Sequence, residues 1–218
     1  MNARLLKTVC LVMMGLMMCP VFASSEEPKP IMLLKPQKDI GKPLMQVLND
    51  RKSTRTFSPE MLPDQVLSNV LWAAFGVTRE DLGKRTAPSA VNWQEIDIYV
   101  ATADGLFLYD AKKHALMQVL SKDVREFTGR QPFVKTAPVN LVYVADFSKM
   151  GQAKPDEKIF YSAADTGFIS QNVYLYCASE GLATVVRGLV DREALGEIMK
   201  LGPDQRITLS QSVGYPKK

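Results

Sequence analysis

Val139-Asn140-Leu141-Val142-Tyr143-Val144 is a near-continuous run of apolar and β-branched residues, the pattern of a strand buried on both faces in the middle of a sheet. Upstream of it, Ile96 to Thr102 reads as a strand, Ala103-Asp104-Gly105 as a turn and Leu106 to Tyr109 as its hairpin partner. Between hairpin and central run, Leu116 to Phe127 is expected to form a helix. Downstream, about Asp156 to Gly181 is the longest helical candidate, rich in small residues and closed by Gly181. A short strand near Thr184–Val186 follows. Asp191 then caps a helix to about Leu201 with Ala194, Leu195 and Ile198 inward, and Ile207 to Val213 forms the last strand. Nearer the N-terminus, Pro43 opens a helix that puts Leu44, Val47 and Leu48 on one face. Leu62 to Gly76 forms another, with Val66, Val70, Ala73 and Ala74 as its buried stripe. With no internal repeat and one composition regime, the expectation is a single α+β domain, helix-rich, around an antiparallel or mixed sheet.

The chain has 218 residues, 46% of them hydrophobic and 23% charged, with a formal net charge of +4. That composition excludes a disordered chain, a collagen-like repeat and a disulfide-stapled miniprotein. Residues 1–23 read as a signal peptide. Arg4 and Lys7 form a cationic head, Val9 to Met18 an apolar core about half a bilayer span long, and Val21-Phe22-Ala23 a cleavage site. Export to the periplasm with cleavage after Ala23 is expected; a lipoprotein anchor at Cys19 is the lesser alternative. Cleavage removes Cys10 and Cys19 and leaves Cys177, in an apolar stretch, as the lone and inert thiol. It also removes two cations, and the remainder is too near neutral to argue for nucleic acid or anionic lipid. Residues 24–41, with Pro28, Pro30 and Pro36, read as an extended arm, and 42–218 as the single domain.

No G-x-S-x-G elbow, Walker loop, G-x-G-x-x-G, H-E-x-x-H or C-x-x-C occurs in the sequence. With His114 the only histidine, no His/Cys metal cage is expected, and enzymatic chemistry would have to come from a borrowed cofactor. Three segments offer binding groups. Asp50-Arg51-Lys52-Ser53-Thr54-Arg55-Thr56-Phe57 can converge two guanidinium forks and two hydroxyls on a phosphate, or be a solvated interhelix turn. Arg85-Thr86-Ala87-Pro88-Ser89-Ala90-Val91-Asn92-Trp93-Gln94 combines small residues with neutral hydrogen-bonding groups suited to a heteroaromatic ring, or is a polar loop leading into the next strand. Gly181-Leu182-Ala183-Thr184-Val185-Val186-Arg187-Gly188 can present backbone N–H groups and a cation together, or be a helix stop, a core strand and a surface arginine.

Taken in order, these segments resemble the nitroreductase family of FMN-dependent oxidoreductases. The marks are the R-x-S-x-R-x-F loop at Arg51–Phe57, Leu71-Trp72-Ala73-Ala74-Phe75-Gly76 followed by Arg79, and Pro88-Ser89-Ala90-Val91-Asn92-Trp93-Gln94. They continue with Gln171-Asn172, Gly181-Leu182 and Val213-Gly214-Tyr215-Pro216. Arg85–Tyr99 is closest in style to the thiazole- and oxazole-forming dehydrogenase branch. The resemblance implies a central, mostly antiparallel sheet surrounded by helices, in an intertwined homodimer with FMN in two interfacial clefts. It implies that Arg51, Lys52, Ser53 and Arg55 hold the phosphate and ribityl chain, and that Pro88, Ser89, Ala90 and Asn92 form the loop given by the opposite subunit. Val186, Arg187 and Gly188 would meet the flavin ring through backbone N–H, with no catalytic side chain and no metal.

The implied activity is hydride transfer through FMN, from a donor such as NAD(P)H, to or from a small electron-poor molecule. The alternatives are a non-catalytic flavin-binding module and a dehydrogenase that tailors a peptide. Two departures stand out. The chain stops at Lys217-Lys218, where many members continue with a basic segment, and Glu95 stands where a proline often follows the glutamine. Export also sits uneasily with NAD(P)H, which is scarce outside the cytoplasm.

Overall fold

The computed structural model describes residues 29–217; the expected signal peptide and its cleavage site lie outside the described residues. Nine strands and four helices follow one another as β1 (Ile31–Met32), α1 (Leu44–Asp50), α2 (Asp64–Phe75), β2 (Val77–Arg79), β3 (Lys84–Arg85), β4 (Ile96–Thr102), β5 (Gly105–Asp110), β6 (Ala115–Leu120), β7 (Val139–Asp146), α3 (Pro155–Glu180), β8 (Ala183–Arg187), α4 (Arg192–Met199) and β9 (Gln205–Gly214). Seven strands form one sheet in the order β1-β6-β5-β4-β7-β9-β8, and β2 and β3 form a separate ribbon. Every pairing is antiparallel, which resolves the antiparallel-or-mixed expectation.

The central run is β7, paired with β4 on one side and β9 on the other. Strand alternation sends Leu141 and Tyr143 to one face and Val142 and Val144 to the other. The first face packs under α2 and α3 with Val70, Leu71, Ile169 and Val173; the second packs under α4 with Val190, Leu195 and Met199. Two cores on one strand explain its unbroken apolar character. Gly181 (φ +70°) closes α3 in a left-handed turn that a side chain would strain, and β8 begins two residues later.

Leu116–Phe127 is not a helix. Ala115–Leu120 is strand β6, and a single 3-10 turn covers Arg125–Thr128. Asp110 Oδ1 accepts the N–H groups of Lys112 and Lys113, reversing the chain so that Leu116 lies opposite Tyr109 and Met117 opposite Leu108. Cross-strand pairing thus overrides the helical propensity of Ala, Leu, Met and Gln. Helix α1 forms where expected and packs against α3, but only Val47 is buried; Leu44 and Leu48 are 62% and 45% exposed. On α2, Ser68 and Asn69 rather than Val66 and Ala73 complete the buried face. On α4, Leu195 and Met199 point inward and Ala194 does not.

Residues 29–41 are extended, as the prolines suggest. Ile31 and Met32 pair with β6, and the arm then runs along α2, where Leu34 O accepts from Ser68 Oγ and Gln37 N–H donates to Asn69 Oδ1. His114 is part of this clasp, bonding Ser68 Oγ and Tyr109 Oη, and burial pushes its imidazole below the usual range.

Candidate functional site

The loop after α1 runs extended along the free edge of β8. Its hold is a main-chain bond from Thr54 N–H to Thr184 O (2.9 Å) and a side-chain bridge through Tyr174 of α3. The Tyr174 hydroxyl lies 2.8 Å from Ser53 Oγ and accepts the Val186 N–H at 2.9 Å. The Arg51 guanidinium stacks over the same ring, 5.4 Å from its centroid. Arg51, Ser53 and the outward edge of β8 therefore share one face. Lys42 occupies Asp50 at 3.2 Å and holds that carboxyl below the usual range, whereas Arg51, Lys52 and Arg55 have no ion pair among the described residues. The loop is a concentration of uncompensated positive charge beside hydroxyl and N–H donors, suited to a phosphate group.

The four residues assigned to phosphate and ribityl chain do not all face one way. Lys52, Thr54 and Thr56 line a cavity of about 590 Å³ together with Thr184 and Lys217. Lys217 is brought there by a bridge between Phe57 and Pro216 and by its N–H to Thr56 O, 3.4 Å. The departure noted at the C-terminus thus still places a lysine beside the loop.

Arg187 is neither the presented cation nor the surface arginine that the third segment offers: its side chain is buried, with Nη1 donating to Thr128 O at 2.6 Å and Nη2 to Asn140 Oδ1 at 2.9 Å. The cause is strand parity. Ala183, Val185 and Arg187 point one way in β8, and Thr184 and Val186 use their outward peptide groups on Thr54 and Tyr174. With no acidic partner, burial lowers the guanidinium pKa to about 10. Gly188, exposed at the end of β8, is what remains of this segment for a ligand.

Pro88, Ser89, Ala90 and Asn92 form a loop whose backbone is held in an unusual shape. Val91, Asn92 and Gln94 have φ of +50°, +60° and +51°. Non-glycine residues there cost on the order of 1 kcal/mol or more each and persist only where the surroundings dictate them. Here Ala90 N–H bonds Asp165 Oδ2 at 2.9 Å, Gln94 N–H bonds Ser89 Oγ at 2.8 Å, and Arg85 Nε bonds Gln94 Oε1 at 2.7 Å. Val91 at the tip is 81% exposed. The loop lines its own cavity of about 600 Å³ with Arg79, Lys84 and Arg85, sharing no lining residue with the cavity at Lys52.

Sequence reasoning missed Tyr174, the tie between the 51–57 loop and the sheet, and the buried carboxyls Asp165 and Glu95 under the strained loop. Glu95 was noted only as a departure. Cys177 is buried, with its thiol pushed up by burial, as its apolar surroundings implied. Among the described residues no cluster of metal-ligating groups occurs, and no helix is long and apolar enough to cross a membrane.

Comparison with known proteins places this geometry in context. The model described as "Nitroreductase family" matches residues 48–215. A protein of Methanocaldococcus jannaschii named as a nitroreductase is 31% identical over 168 residues, covering 72% of this chain and 84% of that one. An FMN reductase [NAD(P)H] of Bacillus subtilis is 25% identical over 188 residues, covering 79% of this chain and 66% of its own. A crystal structure of a Ralstonia eutropha protein named as a nitroreductase superposes with a TM-score of 0.83 at 44% identity, over 94% of this chain and 96% of that one.

Proposed function

The chain belongs to the nitroreductase family and is an FMN-dependent oxidoreductase; we propose that it transfers reducing equivalents to or from a small electron-poor substrate in a cleft built by two copies of the chain. The observation that carries this reading is the shared face of Arg51, Ser53 and the outward edge of β8, pinned by Tyr174. The donor set fits the cofactor: guanidinium and hydroxyl groups for a phosphate, and backbone and small residues where a flat ring must approach closely. When bound, FMN supplies two-electron redox chemistry, which the described side chains do not offer. Arg51 and Arg55 neutralise the phosphate, Ser53 bonds it, and Lys52 and Lys217 add positive charge from the neighbouring cavity. Gly188 offers its peptide group to the ring. Arg187 acts from within, tying β8 to β7 and to the 128–129 turn.

Two observations support a dimer. The 51–57 and 85–94 loops line separate cavities in one chain, so a second copy is the simplest way to bring them to one ligand. Helices α1 and α3 also carry exposed apolar residues, Leu44, Met45, Phe160 and Phe168, each at least 50% exposed. Export is the remaining part of the proposal, supported by the cationic head, apolar core and cleavage site of residues 1–23. N-terminal sequencing of the periplasmic protein should read from Ser24.

The test is a visible spectrum of the purified protein with and without added FMN, with sedimentation to count subunits. Yellow protein with about one FMN per chain is expected. A colourless product that takes up no FMN overturns the reading. Arg51→Ala removes one charge-assisted contact and should weaken FMN binding by about 1.5–3 kcal/mol, roughly ten- to a hundredfold. Unchanged affinity would place the phosphate elsewhere.

A further inference from the structure

The strained loop is tied to the body of the protein by two carboxyl groups that the function above leaves unused. Glu95, immediately before β4, is fully buried. Its Oε2 accepts from Ser89 Oγ at 3.2 Å, while Oε1 has no hydrogen-bond partner among the described residues. Asp165, 3% exposed on α3, accepts the Ala90 N–H, so the two buried carboxyls grip adjacent residues of the same loop. Two ionised carboxylates cannot share such a space without water, whereas one proton on Glu95 satisfies the orphan oxygen.

We infer that a proton held on buried Glu95, beside Asp165, latches the 89–94 loop in its left-handed turns, and that releasing this proton loosens the loop and the flavin contact made there. The flavin half of the inference rests on the function proposed above; the latch does not. Its working range is physiological, since burial, and then the Asp165 charge, push Glu95 up to about 7. Other charged groups around this corner are already engaged. Arg85 is spent on Gln94 Oε1 and Phe75 O, Lys149 on Asp97 at 2.6 Å, and Lys158 on Phe147 O. Asp146 is bonded through its carboxylate to Ser148, with its own N–H on Glu95 O. Below pH 7 Glu95 keeps its proton and the loop is held. Above it, two buried negative charges repel, and the anchors at Ser89 and Ala90 give way together.

Trp93 reports on the loop directly, since it sits within it with its ring edge-on to Tyr161 at 5.8 Å. Fluorine NMR of 5-fluorotryptophan-labelled protein gives one signal each for Trp72 and Trp93, assigned with Trp72→Phe. The Trp93 signal should move with a midpoint near pH 7. Glu95→Gln, which can donate to Asp165 but cannot titrate, should hold the signal at its low-pH position throughout. Asp165→Asn removes the like charge and should shift the midpoint to lower pH, which keeps the test decisive if Glu95→Gln folds poorly. The Kd for FMN should rise roughly tenfold between pH 6 and 8.5 in the parent and stay flat in Glu95→Gln. A Trp93 signal that does not titrate in the parent, or titrates alike in Glu95→Gln, overturns the latch whether or not FMN binds. Intact titration with no FMN binding at any pH leaves the latch standing and overturns the flavin reading.

Discussion

Removing one oxygen beneath the candidate site should cost as much as removing a whole methyl group from the core. The Tyr143 hydroxyl, fully buried on β7, donates to Gln211 Oε1 at 2.6 Å. Gln211 on β9 uses its amide N–H groups on Ser170 O of α3 (3.3 Å) and Thr184 Oγ1 of β8 (3.0 Å). Thr184 in turn donates to Ser212 O and accepts the Thr54 N–H, so the chain of bonds ends at the 51–57 loop. Tyr143→Phe keeps the ring and its packing but strands Gln211 Oε1 where no water reaches it. An unpaired buried acceptor costs about 1–3 kcal/mol, equivalent to a Tm drop of roughly 2–12 °C for a domain this size. Urea unfolding followed by circular dichroism measures the loss. In Tyr143→Phe/Gln211→Leu both partners are gone, so the double variant should be more stable than the summed single losses imply, with a coupling of at least about 0.5 kcal/mol. A Tyr143→Phe protein within about 0.5 kcal/mol of the parent, or strictly additive losses, would refute the network.

Three further outcomes follow from buried groups. Glu95 binds its proton in the folded state up to about pH 7 but releases it near its ordinary value when unfolded. The fold therefore gains less as pH rises through that window: the unfolding free energy from urea titrations should fall between pH 5 and 8, by up to about 3 kcal/mol from this group. Glu95→Gln should remove that part of the slope, and an identical slope in the variant would contradict it. Gly129→Ala has ordinary extended backbone (φ 174°), but its Cβ would land on Arg187 Nη1 and 2.8 Å from Gln131 Oε1. Displacing the guanidinium from Thr128 O and Asn140 Oδ1 should cost about 2–4 kcal/mol in thermal unfolding; a neutral variant would mean Arg187 is not packed there. Cys177 should react with Ellman's reagent only as fast as the protein unfolds, because burial keeps the thiol protonated; rapid labelling in native buffer would show otherwise.

What could be read from the chain was whatever its neighbours in sequence determine. The β4–β5 hairpin is encoded by Ala103-Asp104-Gly105, the end of α3 by Gly181, and the cap of α4 by Asp191, whose carboxylate accepts the Ala194 N–H. Strand β6 escaped because its residues favour a helix and only pairing with β5 makes them a strand. The site divides the same way. The 51–57 loop announces itself by side-chain chemistry within seven residues, but its hold on the sheet comes from Tyr174, 121 positions beyond Ser53, and no period or motif links the two. Glu95 and Asp165 hold the same loop from positions far apart in the chain, so an acid in place of a proline looked like a lost feature rather than half of a pair. Arg187 is the instructive miss, since the information was local. Once Val185 is taken as core, alternation sends residue 187 inward with it, and a positive charge does not exempt a side chain from the parity of its strand when Thr128 and Asn140 wait there to bond it.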